Sequence, residues 1–313
     1  MTMMQQPVRI IGAGIGGLTL GRCLLKHGVL VVLYERMPST PRHGYGVTLH
    51  ASSYTPLPEI LGLDEWTFKR RVAVDGSLGG CGNVEPKSII YPGRVDSTSF
   101  RAHREKLERL LREGLDVRWE NALKRVEENS SGMELCLQNG QKLKSACIIG
   151  VDGLHSNTRK SYHPTRPIKS SLCHGYIRAQ LEATPTRFTS PTVQCQVRRI
   201  FPKSFFEEIG ALQGLRQPFE DIFDADKLRT ELSHEELRAF AEKGVFFIGD
   251  SVHAEPILGG EGAGNAITDG IELAKCISTS GSSGILAWYD SRYSEWESGV
   301  RRSEKVIGEM HSS

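Results

Sequence analysis

The sequence contains no Cys-x-x-Cys pair, no excess of one charge, no internal repeat, and no apolar run near the ~20 residues that span a membrane. Each absence removes a class of function. With 39 basic and 37 acidic residues the net charge is +2, so no electrostatic footprint for nucleic acid exists. The seven cysteines (Cys23, Cys81, Cys136, Cys147, Cys173, Cys195 and Cys276) are odd in number and unpaired in spacing. They read as reduced, mostly structural thiols in a reducing compartment, and no metal site is expected. The first strand begins almost at Met1, which leaves no room for a signal peptide and predicts a cytoplasmic chain without a membrane span. At 313 residues the chain can bury a sizeable core in one large or two modest domains.

What the sequence does contain is three glycine-marked blocks far apart. The first is Gly12-Ala13-Gly14-Ile15-Gly16-Gly17, after the apolar run Val8-Arg9-Ile10-Ile11. Gly12 permits a tight turn, Gly14 lets the backbone approach a pyrophosphate, and Gly17 lets the following helix pack closely on the sheet. That helix, Leu18 to His27, would aim its free amides and partial positive charge at the phosphates. A second strand, Val29 to Tyr34, ends in Glu35, about 20 residues after the glycines, where a carboxylate holds a ribose hydroxyl. An acid there disfavours a 2′-phosphate and favours FAD or NAD over NADP. The second block is Gly150-Val151-Asp152-Gly153-Leu154-His155-Ser156. The third, Gly249-Asp250-Ser251-Val252-His253, continues into Gly259-Gly260-Glu261-Gly262-Ala263-Gly264-Asn265 and narrows the dinucleotide to FAD.

Between the blocks the pattern predicts an interleaved α/β chain, a Rossmann-type FAD-binding domain with a smaller, shortened β-sheet substrate domain. Residues 1–71, 99–160 and 244–285 are assigned to the first, 72–98 and 161–243 to the second, and 286–313 to a C-terminal helix. Val72 to Thr98 reads as strands with turns, Ser99 to Glu113 as helix, and Asn121 to Lys144 as a three-stranded meander. Ala146 to Val151 and Val245 to Ile248 read as buried strands, and Ser278 to Gly284 as a Ser/Gly loop. From Tyr162 to Lys243 prolines break the pattern, leaving two plausible strands, Gly175 to Leu181 and Thr192 to Ile200.

Gly12 to Gly17 with Glu35-Arg36, His103-Arg104 followed by Leu107, the Asp152-Gly153 block and the Gly249-Asp250 block stand in a familiar order. They resemble the single-component (group A) FAD-dependent monooxygenases of the p-hydroxybenzoate hydroxylase-like fold, and most resemble the branch found in fungal secondary metabolism. The match covers both ends of the chain, including Trp288 to Tyr293, and is poor in the middle. The resemblance implies a non-covalent FAD held by Gly12, Gly14, Gly17, Glu35, Arg36, Gly46 and Val47. It implies that Arg104 pairs with the pyrophosphate, a task suited to a guanidinium. Asp152, with Ser156 and Arg159, would support FAD and a transient nicotinamide, and Asp250 would accept from a ribityl hydroxyl. Pro256 would line the reactive edge, and Gly260, Gly262, Ala263 and Gly264 would present amides to the pyrimidine end.

Arg178, on the first middle strand, would orient a phenolate or enolate of the substrate. NAD(P)H would reduce the flavin, and O₂ would supply one oxygen atom to an electron-rich aromatic, polyketide-like or alkaloid-like molecule. Titratable though it is, His253 is read as a packing or hydrogen-bonding residue, and Cys81 as a small residue in a tight strand. The stretch between Asp152 and Asp250 is shorter than the family places there, which puts the roof of the substrate pocket in doubt. Two other readings stay open: a non-oxygenating flavoenzyme (oxidase, isomerase or cyclase), and a trimmed flavin-binding relative without catalysis.

Overall fold

The computed structural model describes residues 6–40, 42, 44–83, 98–129, 132–162, 176–179, 197–200, 232–254 and 262–312. In chain order its elements are β1 (Val8–Ile11), α1 (Ile15–Lys26), β2 (Val31–Tyr34), β3 (Gly46–Leu49), α2 (Ala51–Tyr54), α3 (Pro56–Leu61) and α4 (Glu65–Val72). Then come β4 (Phe100–His103), α5 (Arg104–Leu111), β5 (Asp116–Arg118), β6 (Leu123–Asn129), β7 (Gly132–Leu137), β8 (Lys142–Ser145), β9 (Ile148–Gly150) and α6 (Asn157–Lys160). The rest are β10 (Tyr176–Ala179), β11 (Val197–Ile200), α7 (His234–Glu242), β12 (Val245–Phe247) and α8 (Gly262–Ser312).

The core is a five-stranded parallel sheet in the order β12-β9-β1-β2-β5. Its strands are short apolar runs because both faces are covered, as parallel sheets require. Ile10, Leu33, Ile148, Ile149, Val245 and Phe247 are all fully buried. Register pairs Val8 with Val31, Arg9 with Ile148, and Val245 with Ile148. Glycine lets α1 approach α8: a Cβ on Gly16 would lie 3.2 Å from that of Ala266, and one on Gly270 would lie 3.0 Å from the Gly16 oxygen. The expected meander is the antiparallel sheet β6-β7-β8, and β10 pairs antiparallel with β11.

Three expectations need correction. Ser99 to Glu113 is not all helix: Phe100–His103 is strand β4, paired antiparallel with β3, and only Arg104–Leu111 is helical. The strand buries Phe100 and Ala102 and half-exposes Arg101 and His103, a two-residue alternation. Among the described residues of the 72–98 segment there is no strand, only isolated bridges from Ala73 to Ala102 and Asn83 to Phe100. Asp75 closes a glycine-rich 3₁₀ turn instead, accepting from Gly82 N at 2.7 Å.

The third correction concerns Ser278 to Gly284, which lies inside the helical span of α8. Ser278 and Thr279 hydroxyls bond back to the carbonyls of Ala274 and Lys275, one turn earlier. Yet α8 cannot be straight. At 1.5 Å per residue, Asp269 and Trp296 would stand about 40 Å apart, whereas Trp296 Nε1 is 3.1 Å from Asp269 Oδ1. Arg292 Nε also reaches Asp269, at 3.0 Å, and Trp288 Nε1 reaches Glu272 at 2.9 Å. These pairs centre on the serine–glycine segment, so the chain reverses there, and of the residues expected as a separate helix, 286–313, those as far as Ser312 form the return arm of α8.

That arm closes the open edge of the main sheet. Tyr289, fully buried, receives the Phe247 N–H at 2.7 Å and donates to the Phe247 carbonyl at 3.0 Å, capping both backbone groups of the last residue of β12. Replacing the hydroxyl by hydrogen strands two buried backbone groups. Tyr289→Phe is expected to lower unfolding free energy by about 1–3 kcal/mol in a denaturant titration. An unchanged midpoint would show that the edge is held by apolar packing alone.

Candidate cofactor site

The parallel order explains why three distant blocks meet. β1, β9 and β12 are neighbours running the same way, so the turns that leave them emerge at one edge. Val151 N donates to Ile11 O at 2.7 Å and Ile248 N to Gly150 O at 3.2 Å. Gly12 sits at φ +109°, and a Cβ there would be 2.3 Å from Val151 O. One on Gly17 would be 2.1 Å from Gly12 O, so neither position admits a side chain. Gly14, the N-cap of α1, differs: a Cβ there would meet nothing within 4 Å. An open face over the N-terminus of a 12-residue helix is the cradle a pyrophosphate needs.

Around this cradle stand the charges. Glu35, at the end of β2, accepts from Ala13 N at 2.8 Å and from Met37 N at 2.9 Å. A carboxylate has about four lone-pair sites, so these two bonds still leave it able to accept from a ribose. Arg104 opens α5; its Nε donates to Glu108 Oε1 at 2.9 Å, and its guanidinium bonds and stacks on Tyr45. Desolvation works against its charge, but the Tyr45 hydroxyl and the Glu108 carboxylate beside it overcome that and raise its pKa, keeping it cationic. The other Glu108 oxygen takes Arg42 Nε at 3.1 Å, while Arg42 Nη2 donates to Ala13 O at 3.0 Å. Arg42 and Arg112 flank the Trp119 ring at 5.5 and 5.6 Å. Ala13, Leu18, Ser39, Arg42, Glu108 and Trp119 thus line a recess beside the glycine turn.

The second block is a built turn. Asp152 accepts from Ser156 Oγ at 2.5 Å and from Thr158 N and Oγ1 at 3.0 and 3.1 Å. Its carboxylate is therefore engaged in ordering the start of α6. Arg159 is buried and donates to Ser251 O at 2.6 Å and Leu154 O at 2.5 Å, joining the second block to the third. Arg36 is exposed beside His155, whose pKa is lowered by desolvation and then by Lys160, Arg36 and Arg159. Gly46 and Val47 lie on β3, opposite His103 and Ala102.

Asp250 follows Gly249 (φ +62°) in a 3₁₀ turn. It keeps an exposed face, yet protein crowds it enough that desolvation leads in raising its pKa; His253 and Arg104 oppose this and Asp269 adds to it. Gly262 is close, since a Cβ there would be 3.8 Å from Asp250 Oδ1; Ala263 and Gly264 follow in the first turn of α8. Pro256 and Gly260 lie outside the described residues. So does the Arg178 side chain, although its backbone pairs with Arg198 between β10 and β11. His253 is buried, bonded to Asp269 at 2.6 Å and stacked on Trp296.

Sequence reasoning missed Arg42, Glu108 and Asp269. Only Glu108 carried a signal, standing one helical turn after Arg104. The five described cysteines are free, and burial pushes the Cys147 thiol up to about 12 and the Cys23 thiol to about 11, far from reactive thiolates. Cys173 and Cys195 lie outside the described residues. Among the described residues one group, Glu127, Glu134 and Cys136, has metal-ligand spacing, and Lys142 Nζ is already salt-bridged to both acids there. No helix among the described residues is long and apolar enough to cross a membrane.

Comparison with known proteins agrees with this geometry. The FAD binding domain family matches residues 5–216. The "FAD-dependent monooxygenase nscC" of Trichophyton rubrum is 26% identical over 392 aligned positions, covering 98% of this chain and 95% of that protein. The "FAD-dependent monooxygenase adaC" of Aspergillus niger is 25% identical, covering 98% and 94%. Both aligned lengths exceed the 313 residues here, so these relatives carry residues that this chain lacks. Among solved structures, P. aeruginosa PqsL in complex with 2-aminobenzoylacetate superposes with TM-score 0.67 at 17% identity, covering 95% of this chain and 94% of its own. CtdE in complex with FAD and a substrate gives 0.68 at 16%, covering 97% and 89%. The fold is thus the p-hydroxybenzoate hydroxylase-like one.

Two substitutions test the cradle. Glu35→Ala is expected to weaken FAD by roughly 1.5–3 kcal/mol, one to two decades in dissociation constant. Asp250→Asn should weaken FAD similarly while raising the melting temperature of the apoprotein. The sign follows from its raised pKa: the folded state holds that proton more tightly than the unfolded state. The ionised carboxylate therefore opposes folding increasingly as pH climbs from the ordinary carboxylate range through the folded pKa, and an amide removes the penalty. An apoprotein melting temperature that falls instead would refute this account of Asp250.

Proposed function

The chain belongs to the FAD binding domain family and is an FAD-dependent monooxygenase; on that premise we propose that it hydroxylates or epoxidises an electron-rich aromatic or enol small molecule, using NAD(P)H and O₂, in secondary-metabolite biosynthesis. The observation that carries the reading is the convergence of the Gly14 cradle, Arg104 and Asp250 from separate parts of the chain at one sheet edge. The chemistry FAD supplies when bound is reduction by a nicotinamide and activation of O₂.

The residues do the rest. Gly14 and the α1 amides take the pyrophosphate, and Arg104, steadied by Glu108, supplies its countercharge. Glu35 accepts from a ribose hydroxyl, with Arg36 beside it at the surface; Gly46 and Val47 carry the β3 wall past Tyr45. Asp250 accepts from the ribityl chain, and Asp152 acts through the turn it orders. Pro256 lines the reactive edge, while the amides of Gly260, Gly262, Ala263 and Gly264 favour negative charge at the pyrimidine end. In this reading residues 1–71, 99–160 and 244–285 bind the cofactor and 72–98 with 161–243 roof the substrate. Fungal monooxygenase relatives support the secondary-metabolite setting. The 2-aminobenzoylacetate bound to PqsL, an amino-substituted ring, is a molecule of the class proposed.

Arg178 orients the substrate's phenolate or enolate, a charge task for a group that stays cationic. Arg178→Ala is expected to keep FAD while product formation with a panel of phenols falls by about two decades, the scale of one lost electrostatic donor. Arg178→Lys should restore part of the loss, because a point charge replaces a planar fork. NAD(P)H, O₂, hydrogen peroxide and product are measured together. Coupled turnover insensitive to Arg178→Ala would remove the residue from the mechanism. A parent enzyme that releases all its reducing equivalents as peroxide would remove oxygenation itself.

A further inference from the structure

Asp269 is wholly buried on the first arm of α8, and four donors converge on it. Its Oδ2 receives Gly249 N at 3.1 Å and His253 Nε2 at 2.6 Å, and its Oδ1 receives Arg292 Nε at 3.0 Å and Trp296 Nε1 at 3.1 Å. Two of these donors belong to the turn that carries Asp250 and two to the return arm. Desolvation alone would raise its pKa, but His253, Arg292 and Trp296 together overcome that and hold it ionised. A buried charge is retained only when paired and fully hydrogen-bonded, and this one is.

The bond to Gly249 matters for more than stability. Gly249 sits at φ +62° and directly precedes Asp250, so the orientation of its peptide sets where the Asp250 carboxylate points. Trp296, besides donating to Asp269, stacks on His253 with centroids 4.7 Å apart and planes at 20°. Trp296 on the return arm therefore touches both His253 of the turn and the carboxylate that holds the turn's backbone. We propose that Asp269 is a positioning residue that fixes the Gly249–Asp250 turn for FAD, with Arg292 and Trp296 on the return arm of α8 as its clamp. The inference rests on the FAD assignment above and assigns the C-terminal arm a part in cofactor retention.

The test uses full-length apoprotein and holoprotein of the parent, Asp269→Asn, Trp296→Phe, Arg292→Met and Arg292→Lys. FAD dissociation constants are read from flavin fluorescence quenching, and melting temperatures are taken with and without saturating FAD. Asp269→Asn, which keeps an acceptor for Gly249 but loses the charge, should raise the FAD dissociation constant about tenfold. Trp296→Phe keeps the stack, loses one donor, and should raise it about threefold. Arg292→Lys should retain most of the affinity that Arg292→Met loses. In each weakened variant the FAD-induced gain in melting temperature should shrink, a change that a merely structural residue would not produce. Dissociation constants within twofold of the parent, or a lowered apoprotein melting temperature with an undiminished FAD-induced gain, would overturn the proposal. Should Asp269→Asn fail to fold, Trp296→Phe and the Arg292 pair decide by the same criteria. A parent that binds no FAD would instead sink the cofactor assignment, and this inference with it.

Discussion

Backbone proximity at one sheet edge is the constraint on which the rest depends. Gly12 and Val151 approach until no Cβ fits between them, and that contact fixes the distance between the first two blocks. From β1 the chain crosses by α1 to β2 on one side, while β9 lies on the other. In a doubly wound sheet this is the switch point, where the flanking connections diverge and leave a crevice for ligand. Arg159 then carries the second block's position across to Ser251 in the third. Three turns are thus held by backbone contacts and one buried guanidinium before any ligand is considered.

The buried acids are held in two ways: Glu35 by two backbone amides, and Glu108 and Asp269 by pairs of basic groups. Glu108 serves Arg42 and Arg104 together, and Asp269 serves Arg292 and His253. Sharing offsets the desolvation that a lone carboxylate would suffer in either place. Asp250 has an exposed face, yet the protein around it desolvates the carboxylate enough to raise its pKa against the pull of His253 and Arg104. A carboxylate raised in this way costs the apoprotein stability as pH climbs through the carboxylate range, a cost of the kind that binding sites carry.

How far the sequence revealed this depended on the range of the interaction. Gly12, Gly14 and Gly17 were readable because a turn, an open approach and a helix–strand contact are local demands on φ and volume. The buried strands were readable as apolar runs. β4 was missed because four residues of alternation sit directly before a helix whose Leu107, Leu110 and Leu111 pattern dominates the window. α7 was missed although Ser233 and Glu236 form a capping box, a signal that Pro-broken flanks obscured. Arg42 and Asp269 could not be found from sequence: their partners lie tens of residues away and are set by strand order and by the reversal of α8. The serine–glycine stretch at that reversal was noticed as a connection, but its helical hydrogen bonding was not.

The same topology explains where such a chain can lose length and still hold its cofactor. β9 and β12 are hydrogen-bonded neighbours, so the connection between them must only leave one strand and return through α7 to the start of the next. That is an ordinary crossover, and α7 packs directly on β12 to complete it. The glycine turn after β1 cannot shrink in this way, because Gly12 and Gly17 are fixed by backbone contacts too short for a side chain. Relatives longer than this chain can therefore differ from it in a connection of this kind while keeping the same strand order at the sheet edge.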